Sequence, residues 1–173
     1  MKPRFAVADL VTVLRLPLAG AFPFLASSPG WQLGIVAAAA ATDVADGLLA
    51  RRWGGSRAGA VLDPVADKVF MAVAFLTIAR RGLLAWYDVA GVLLRDLLTV
   101  LGFLATLLLR RPIALPARAG GKAVTIAQLC TLVAAIVDAR YARPLAWVTA
   151  AIAVYAIWDY GRTAARTTAR AAP

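Results

Sequence analysis

The sequence predicts an all-α, polytopic membrane protein of six transmembrane helices, arranged as a single domain over residues 1–173. Three observations carry that expectation. Hydrophobic residues make up 62% of the chain and its mean hydropathy is +0.76, against roughly 45–50% apolar content in a soluble domain. Apolar runs recur at 11–26, 31–49, 65–79, 83–109, 123–137 and 145–158, and with their flanks they suit the roughly 17–25 residues that a helix needs to cross a bilayer. The 19 Lys and Arg residues sit mainly in the breaks between these runs. Twelve of them, including Lys2, Arg4, Arg51, Arg52, Arg57, Arg110, Arg111, Arg118 and Lys122, fall on one side, against Arg80, Arg81, Arg140 and Arg143 on the other. The positive-inside rule then places both termini and the loops at 51–57 and 110–122 in the cytoplasm, as expected of a multi-pass protein of the inner (cytoplasmic) membrane.

The first run follows Lys2 and Arg4 and ends near Ala26-Ser27-Ser28, as a secretory signal does. Asp9 and Arg15 interrupt the apolar core that a signal requires, so a retained first helix is expected. Small residues dominate the second run, with Ala37 to Ala41 unbroken, which lets neighbouring helix backbones approach closely. Gly54-Gly55-Ser56 makes a break and Gly59 opens the third run. Pro64 is tolerable there if it falls in the first turn of a helix starting near residues 60–63, where N–H groups have no intrahelical partner. The fourth run is the longest and is expected to be long or tilted. The loop between Arg110 and Lys122, with Pro112, Pro116, Gly120 and Gly121, is the longest break. Cys130, the single cysteine, lies in the fifth run, where buried packing is its expected role; alone it excludes an intramolecular disulfide or a thiolate cluster. The tail after Tyr160 is expected to fray at the lipid headgroups.

The net charge is +10, from 19 Lys and Arg against nine Asp with neither Glu nor His. Because the basic residues occupy short loops between spans, membrane lipid and not nucleic acid is the expected polyanionic partner.

Four of the nine aspartates, Asp43, Asp46, Asp63 and Asp67, crowd into 25 residues. A carboxylate at membrane depth costs roughly 2.5–3.5 kcal/mol and usually binds or moves something. Asp43 and Asp46 close the second helix while Asp63 and Asp67 open the third. Spacings of three and four residues put each pair on one helical face, so the two pairs can converge across a helical hairpin at the cytoplasmic end. Four like charges so placed stay ionised only if cations join them. An oxygen-only donor set favours Mg²⁺, Mn²⁺ or Ca²⁺ over zinc or copper. Two ions balance four carboxylates and attract a diphosphate, and paired ions can clamp the attacking and leaving oxygens of a displacement at phosphorus. Gly47 and Gly59 leave room for a ligand close to the backbone, unless they serve helix packing. Arg51 offers a forked donor for phosphate oxygens, unless it only anchors the loop at headgroups.

Residues 43–67 read D-V-A-D-G-L-L-A-R-R-W-G-G-S-R-A-G-A-V-L-D-P-V-A-D. This stretch resembles the CDP-alcohol phosphatidyltransferase motif D-x2-D-G-x2-A-R-x8-G-x3-D-x3-D, with seven residues in place of eight between Arg51 and Gly59. L-D-P-V-A-D-K at 62–68, Arg95-Asp96, G-K-A-V-T-I-A-Q at 121–128, W-D-Y at 158–160 and L-V-T-V-L-R at 10–15 are similar to the bacterial phosphatidylglycerophosphate synthase and cardiolipin synthase branch. Asp9, Val124 and Ala156 stand where that branch commonly has Asn, Lys and Ser.

The resemblance implies transfer of a phosphatidyl group from CDP-diacylglycerol to an alcohol, with release of CMP, at an active site facing the cytoplasm. It makes Asp43, Asp46 and Asp63 ligands of two Mg²⁺ or Mn²⁺ ions, and Asp67 a further ligand or the general base on the acceptor hydroxyl. Gly47, Ala50, Arg51 and Gly59 would line the nucleotide. Glycerol 3-phosphate is the leading acceptor, with phosphatidylglycerol and inositol phosphate as alternatives, and a homodimer is the assembly carried over. Arg110, Arg111, Arg118 and Lys122 are candidates for holding the acceptor's anion. Lys68 and Arg95 are either counter-ions of the aspartates or acceptor ligands, and Asp96 is expected to pair with a nearby cation. Two other classes compete. Intramembrane aspartates also mark cation transporters, but here they cluster at one membrane face and no polar chain continues across. A purely structural subunit leaves the cost of the carboxylates unexplained.

Overall fold

The structure, a computed structural model, describes residues 12–53, 59–108 and 119–171, and within them every side chain except those at 50, 51, 53, 60, 61, 64, 103, 105–108, 119, 160, 161 and 163–171. Six helices are described: α1 (Arg15–Ala21), α2 (Pro29–Trp53), α3 (Gly59–Arg80), α4 (Trp86–Leu108), α5 (Ala119–Val137) and α6 (Ala139–Ala171). No strand occurs among the described residues. Among the described residues, two helices are long and apolar enough to cross a membrane, through Pro29–Leu49 and Gly120–Val137. The 22 residues of α3 include four charged ones, Asp63, Asp67, Lys68 and Arg80. The chain divides into two compact units, Met1–Gly82 and Leu83–Pro173.

In the first unit, α1 packs against both α2 and α3. The run at 11–26, expected as one continuous span, is broken by its prolines. Pro17 has no N–H for the carbonyl of Val13, and Pro23 has none for that of Ala19. Leu14 is accordingly a turn and α1 stops at Ala21. Beyond it the N–H groups of Phe24, Ala26 and Ser28 bond only three residues back, at 3.0–3.3 Å. On α3, Ala66, Phe70, Ala74 and Ile78 recur every four residues, with Met71 and Phe75 beside them, and all are buried. Phe70 meets Phe22 edge to face, with ring centroids 6.2 Å apart, a geometry that contributes about 0.5–1.5 kcal/mol beyond area burial. At the end of the unit away from the aspartates, Arg81 Nη1 donates to Gln32 Oε1 at 3.1 Å. Helix α3 already includes Gly59, so Pro64 lies beyond its first turn and not within it as expected.

In the second unit, α6 packs along both α4 and α5. A turn at Gly82, whose φ of +74° suits glycine, precedes α4. Asp88 Oδ2 accepts the N–H of Ala85 at 3.2 Å, the back-bond of a capping box, and this fixes the start of α4. Small residues bring the helices together. A Cβ on Gly91 would lie 3.2 Å from that of Ala150, and one on Gly120 would lie 3.4 Å from that of Ala156. Val124, Ala153 and Ala156 form the buried seam between α5 and α6, beside a hydrogen bond of 2.8 Å between the Thr131 and Thr149 hydroxyls. Gln128 Nε2 ties α5 to α4 through Val92 O at 2.9 Å and Asp96 Oδ2 at 2.8 Å.

Two expectations are corrected here. Cys130 is exposed, because the face that α5 buries runs through Val124, Gln128, Thr131, Leu132 and Ala135, which turns position 130 outward. The tail does not fray at Tyr160: α6 continues to Ala171, over 33 residues. Alanine and arginine, frequent in that tail, are strong helix formers.

Candidate active site

The segment carrying Thr12 and Arg15 mediates between the acidic ends of α2 and α3. The Thr12 hydroxyl lies 3.2 Å from Asp46 Oδ2 on α2 and also donates to Asp63 Oδ1 on α3. One hydroxyl proton is thus shared by carboxylates from two helices. Three residues further on, and so on the same helical face, Arg15 reaches into α2. Its Nη2 pairs with Asp43 Oδ1 at 3.2 Å and with Asp46 Oδ2. Its Nε donates to Thr42 Oγ1 at 3.3 Å, and Thr42 in turn donates to the carbonyl of Ala39 at 2.8 Å. Arg15 is only 2% exposed and Asp46 6%, while the Asp43 side chain is 63% exposed. The cluster therefore has a buried floor, Arg15 with Asp46, and an open rim at Asp43.

Of the four predicted ligands, the structure brings Asp43, Asp46 and Asp63 to the Thr12–Arg15 pair. Asp67, one turn beyond Asp63, pairs with Lys68 Nζ at 3.1 Å. Among the described residues, no three acidic side chains stand close enough together to hold one ion. The guanidinium of Arg15 lies between Asp43 and Asp46 and takes the place of a positive charge there. Oxygen-only donors arranged around a stand-in cation fit a hard divalent ion in their chemistry.

Gly59 is buried at the first residue of α3, and Gly47 is half-buried on α2, directly after Asp46. The side chains of Ala50 and Arg51 lie outside the described residues, as do Arg110, Arg111 and Arg118. Lys122 is exposed near the start of α5. Arg95 Nη1 pairs with Asp96 Oδ1 at 3.2 Å, so Asp96 has the cation expected of it, and Arg95 has an acidic neighbour outside the four-aspartate motif.

Thr12 and Arg15 are the site residues that reasoning on the motif alone did not assign. The signal for them was present: an arginine inside an apolar run has to find a counter-charge, and a threonine three residues before it shares its face.

The family model for CDP-alcohol phosphatidyltransferase matches residues 5–158. A Mycobacterium tuberculosis protein bearing the provisional name cardiolipin synthase is 36% identical over 123 residues, covering 69% of this chain and 58% of that protein. Another from the same organism, provisionally named phosphatidylglycerophosphate synthase, is 34% identical over 131 residues, covering 70% and 61%. The CDP-diacylglycerol–glycerol-3-phosphate 3-phosphatidyltransferase of Salmonella typhimurium is 42% identical over 85 residues, covering 45% and 46%. The match thus spans about six-tenths of the length of the mycobacterial relatives. A family match over residues 5–158, with three of the motif's aspartates gathered around Thr12 and Arg15, leaves one conclusion: the chain belongs to the CDP-alcohol phosphatidyltransferase family.

Proposed function

We propose that this protein transfers a phosphatidyl group from CDP-diacylglycerol to an alcohol, releasing CMP, in phospholipid biosynthesis. The observation that carries the reading is the shared Thr12 hydroxyl, which joins Asp46 of the D-x2-D half of the motif to Asp63 of the D-x3-D half. Glycerol 3-phosphate is the proposed acceptor, because the chain resembles the phosphatidylglycerophosphate synthase branch at 62–68 and 121–128; phosphatidylglycerol and inositol phosphate are the other acceptors to test.

In this reaction the acceptor oxygen forms a bond to the phosphorus that carries diacylglycerol. The bond from that phosphorus to the oxygen bridging to CMP breaks, and CMP leaves with the electron pair. Asp43, Asp46 and Asp63 would hold the divalent ions, Mg²⁺ or Mn²⁺, which when bound supply charge neutralisation at the diphosphate. Asp67 is proposed to take the acceptor's proton, with Lys68 Nζ at 3.1 Å holding that carboxylate in place. A base of this kind must come within about 2.6–3.2 Å of the hydroxyl in the productive complex. Gly47, Ala50, Arg51 and Gly59 are proposed to line the nucleotide.

The proposed topology has six spans, both termini in the cytoplasm, and the site at the inner leaflet. There a lipid-linked donor can enter from the bilayer while a polar acceptor arrives from water. A homodimer is part of the same proposal. The test is CMP release by the purified full chain in liposomes, supplied with CDP-diacylglycerol, Mg²⁺ or Mn²⁺ and a panel of alcohols. Release that stops with EDTA and returns with Mg²⁺ is the expected result; folded protein that releases no CMP with any alcohol overturns the proposal.

A further inference from the structure

Arg15 has more donors than the protein itself uses. Nε is taken by Thr42 and Nη2 by Asp43 and Asp46, yet Nη1 is buried and, among the described residues, has no hydrogen-bond partner. A guanidinium nitrogen shut away from water without an acceptor carries an uncompensated desolvation cost. Buried polar atoms in native proteins almost always have partners, so this one points to a partner that arrives from outside. Its covalent position sets where that partner must sit. Nη1 shares its carbon with Nη2, so it lies at the edge of the same carboxylate cluster. The aspartates supply only acceptors and cannot themselves grip an anion. A planar fork with one side on carboxylates and the other lacking an acceptor suits an oxyanion.

We infer that Nη1 of Arg15 is the donor reserved for a phosphoryl oxygen of a diphosphate-bearing ligand, so that Arg15 positions both the carboxylate cluster and the phosphorus. This deepens the transferase reading and rests on it only for the identity of the ligand. Lysine at the same place keeps the charge and can still reach one carboxylate, but it has no second planar donor. Arg15→Lys thereby separates the two tasks.

The experiment uses the full chain in lipid nanodiscs. Mn²⁺ affinity is measured first, then binding of inorganic pyrophosphate at saturating Mg²⁺ by calorimetry, then the KM for CDP-diacylglycerol and for glycerol 3-phosphate. With the metal kept saturating for each protein, Arg15→Lys is expected to bind pyrophosphate about 10- to 100-fold more weakly and to raise the KM for the lipid donor alone. A merely structural arginine would shift both KM values together. If Arg15→Lys fails to fold, wild-type protein carrying ¹⁵N-labelled arginine is used instead: pyrophosphate should move the Arg15 Nη resonance, and an unmoved resonance overturns the inference. Pyrophosphate binding that is equal in wild type and Arg15→Lys, or absent in wild type, also overturns it, whether or not CMP is released. Arg15-dependent pyrophosphate binding without CMP release from any alcohol sinks the transferase reading and leaves the inference standing.

Discussion

The hydroxyl of Thr12 donates to Asp63, 51 residues further along the chain, while standing 3.2 Å from Asp46. The two halves of the acidic motif therefore meet through a side chain that belongs to neither. Electrostatics explains the arrangement. Carboxylates repel one another at low dielectric, and a hydroxyl proton with a guanidinium beside it offsets that repulsion.

Thr12→Val keeps the shape of the side chain and removes the shared proton. Mn²⁺ affinity should fall by about 10-fold, at the lower end of the 10- to 100-fold cost of losing a hydrogen-bonding partner of metal ligands, and Thr12→Ser should restore it. Titration followed by the electron paramagnetic resonance signal of free Mn²⁺ decides this. Equal affinities in all three proteins would show that Thr12 only packs.

Asp63→Asn and Asp67→Asn should each lower CMP release by about 100-fold or more, since each removes a proposed ligand or base and not an outer partner. Circular dichroism and membrane extraction should remain at wild-type values. Activity near wild type in either variant removes that residue from the site.

Gln128→Leu should destabilise the α4–α5 contact. The leucine leaves Asp96 Oδ2 and the Val92 carbonyl without the amide that serves both, at a cost of about 1–3 kcal/mol. A lowered unfolding midpoint in mixed micelles is the expected reading, and an unchanged midpoint would mean that another donor replaces the amide.

Asp138 sets a pH dependence outside the spans. It accepts the backbone N–H of Arg140 at 3.0 Å and pairs with the Arg140 guanidinium at 2.7 Å, so it caps the start of α6. The Arg140 side chain, then its backbone N–H, hold the carboxyl below its ordinary value of 3.8. A depressed folded-state value means that the contribution is complete above the ordinary value and is lost as pH falls through the folded one. Wild type should thus lose helicity at the start of α6 on acidification below about pH 4, whereas Asp138→Ala should show no such step. Hydrogen exchange at residues 139–142 checks it, and identical acid profiles would count against the cap.

Much of this molecule was readable before any coordinates. The spacing of Asp43, Asp46, Gly47, Gly59, Asp63 and Asp67 is a local property of the chain, and helical periodicity alone puts each acidic pair on one face. The apolar runs likewise marked the helices, because burial of an apolar segment depends on its own composition. The Ala- and Arg-rich tail was misjudged for an opposite reason: its polarity suggested a loose end, but its residues favour helix on their own.

What only the tertiary structure decided are the relationships between segments. That Arg15 turns to Asp43 and Asp46, that Thr12 bridges α2 to α3, and that Cys130 faces outward all depend on the rotational phase of helices packed together. Phase is set by close contacts between residues distant in sequence, such as Phe22 with Phe70 and Gly120 with Ala156. No local pattern encodes such a contact, so the acidic residues of the candidate site were legible in the chain while the part of Thr12 and Arg15 had to come from the fold.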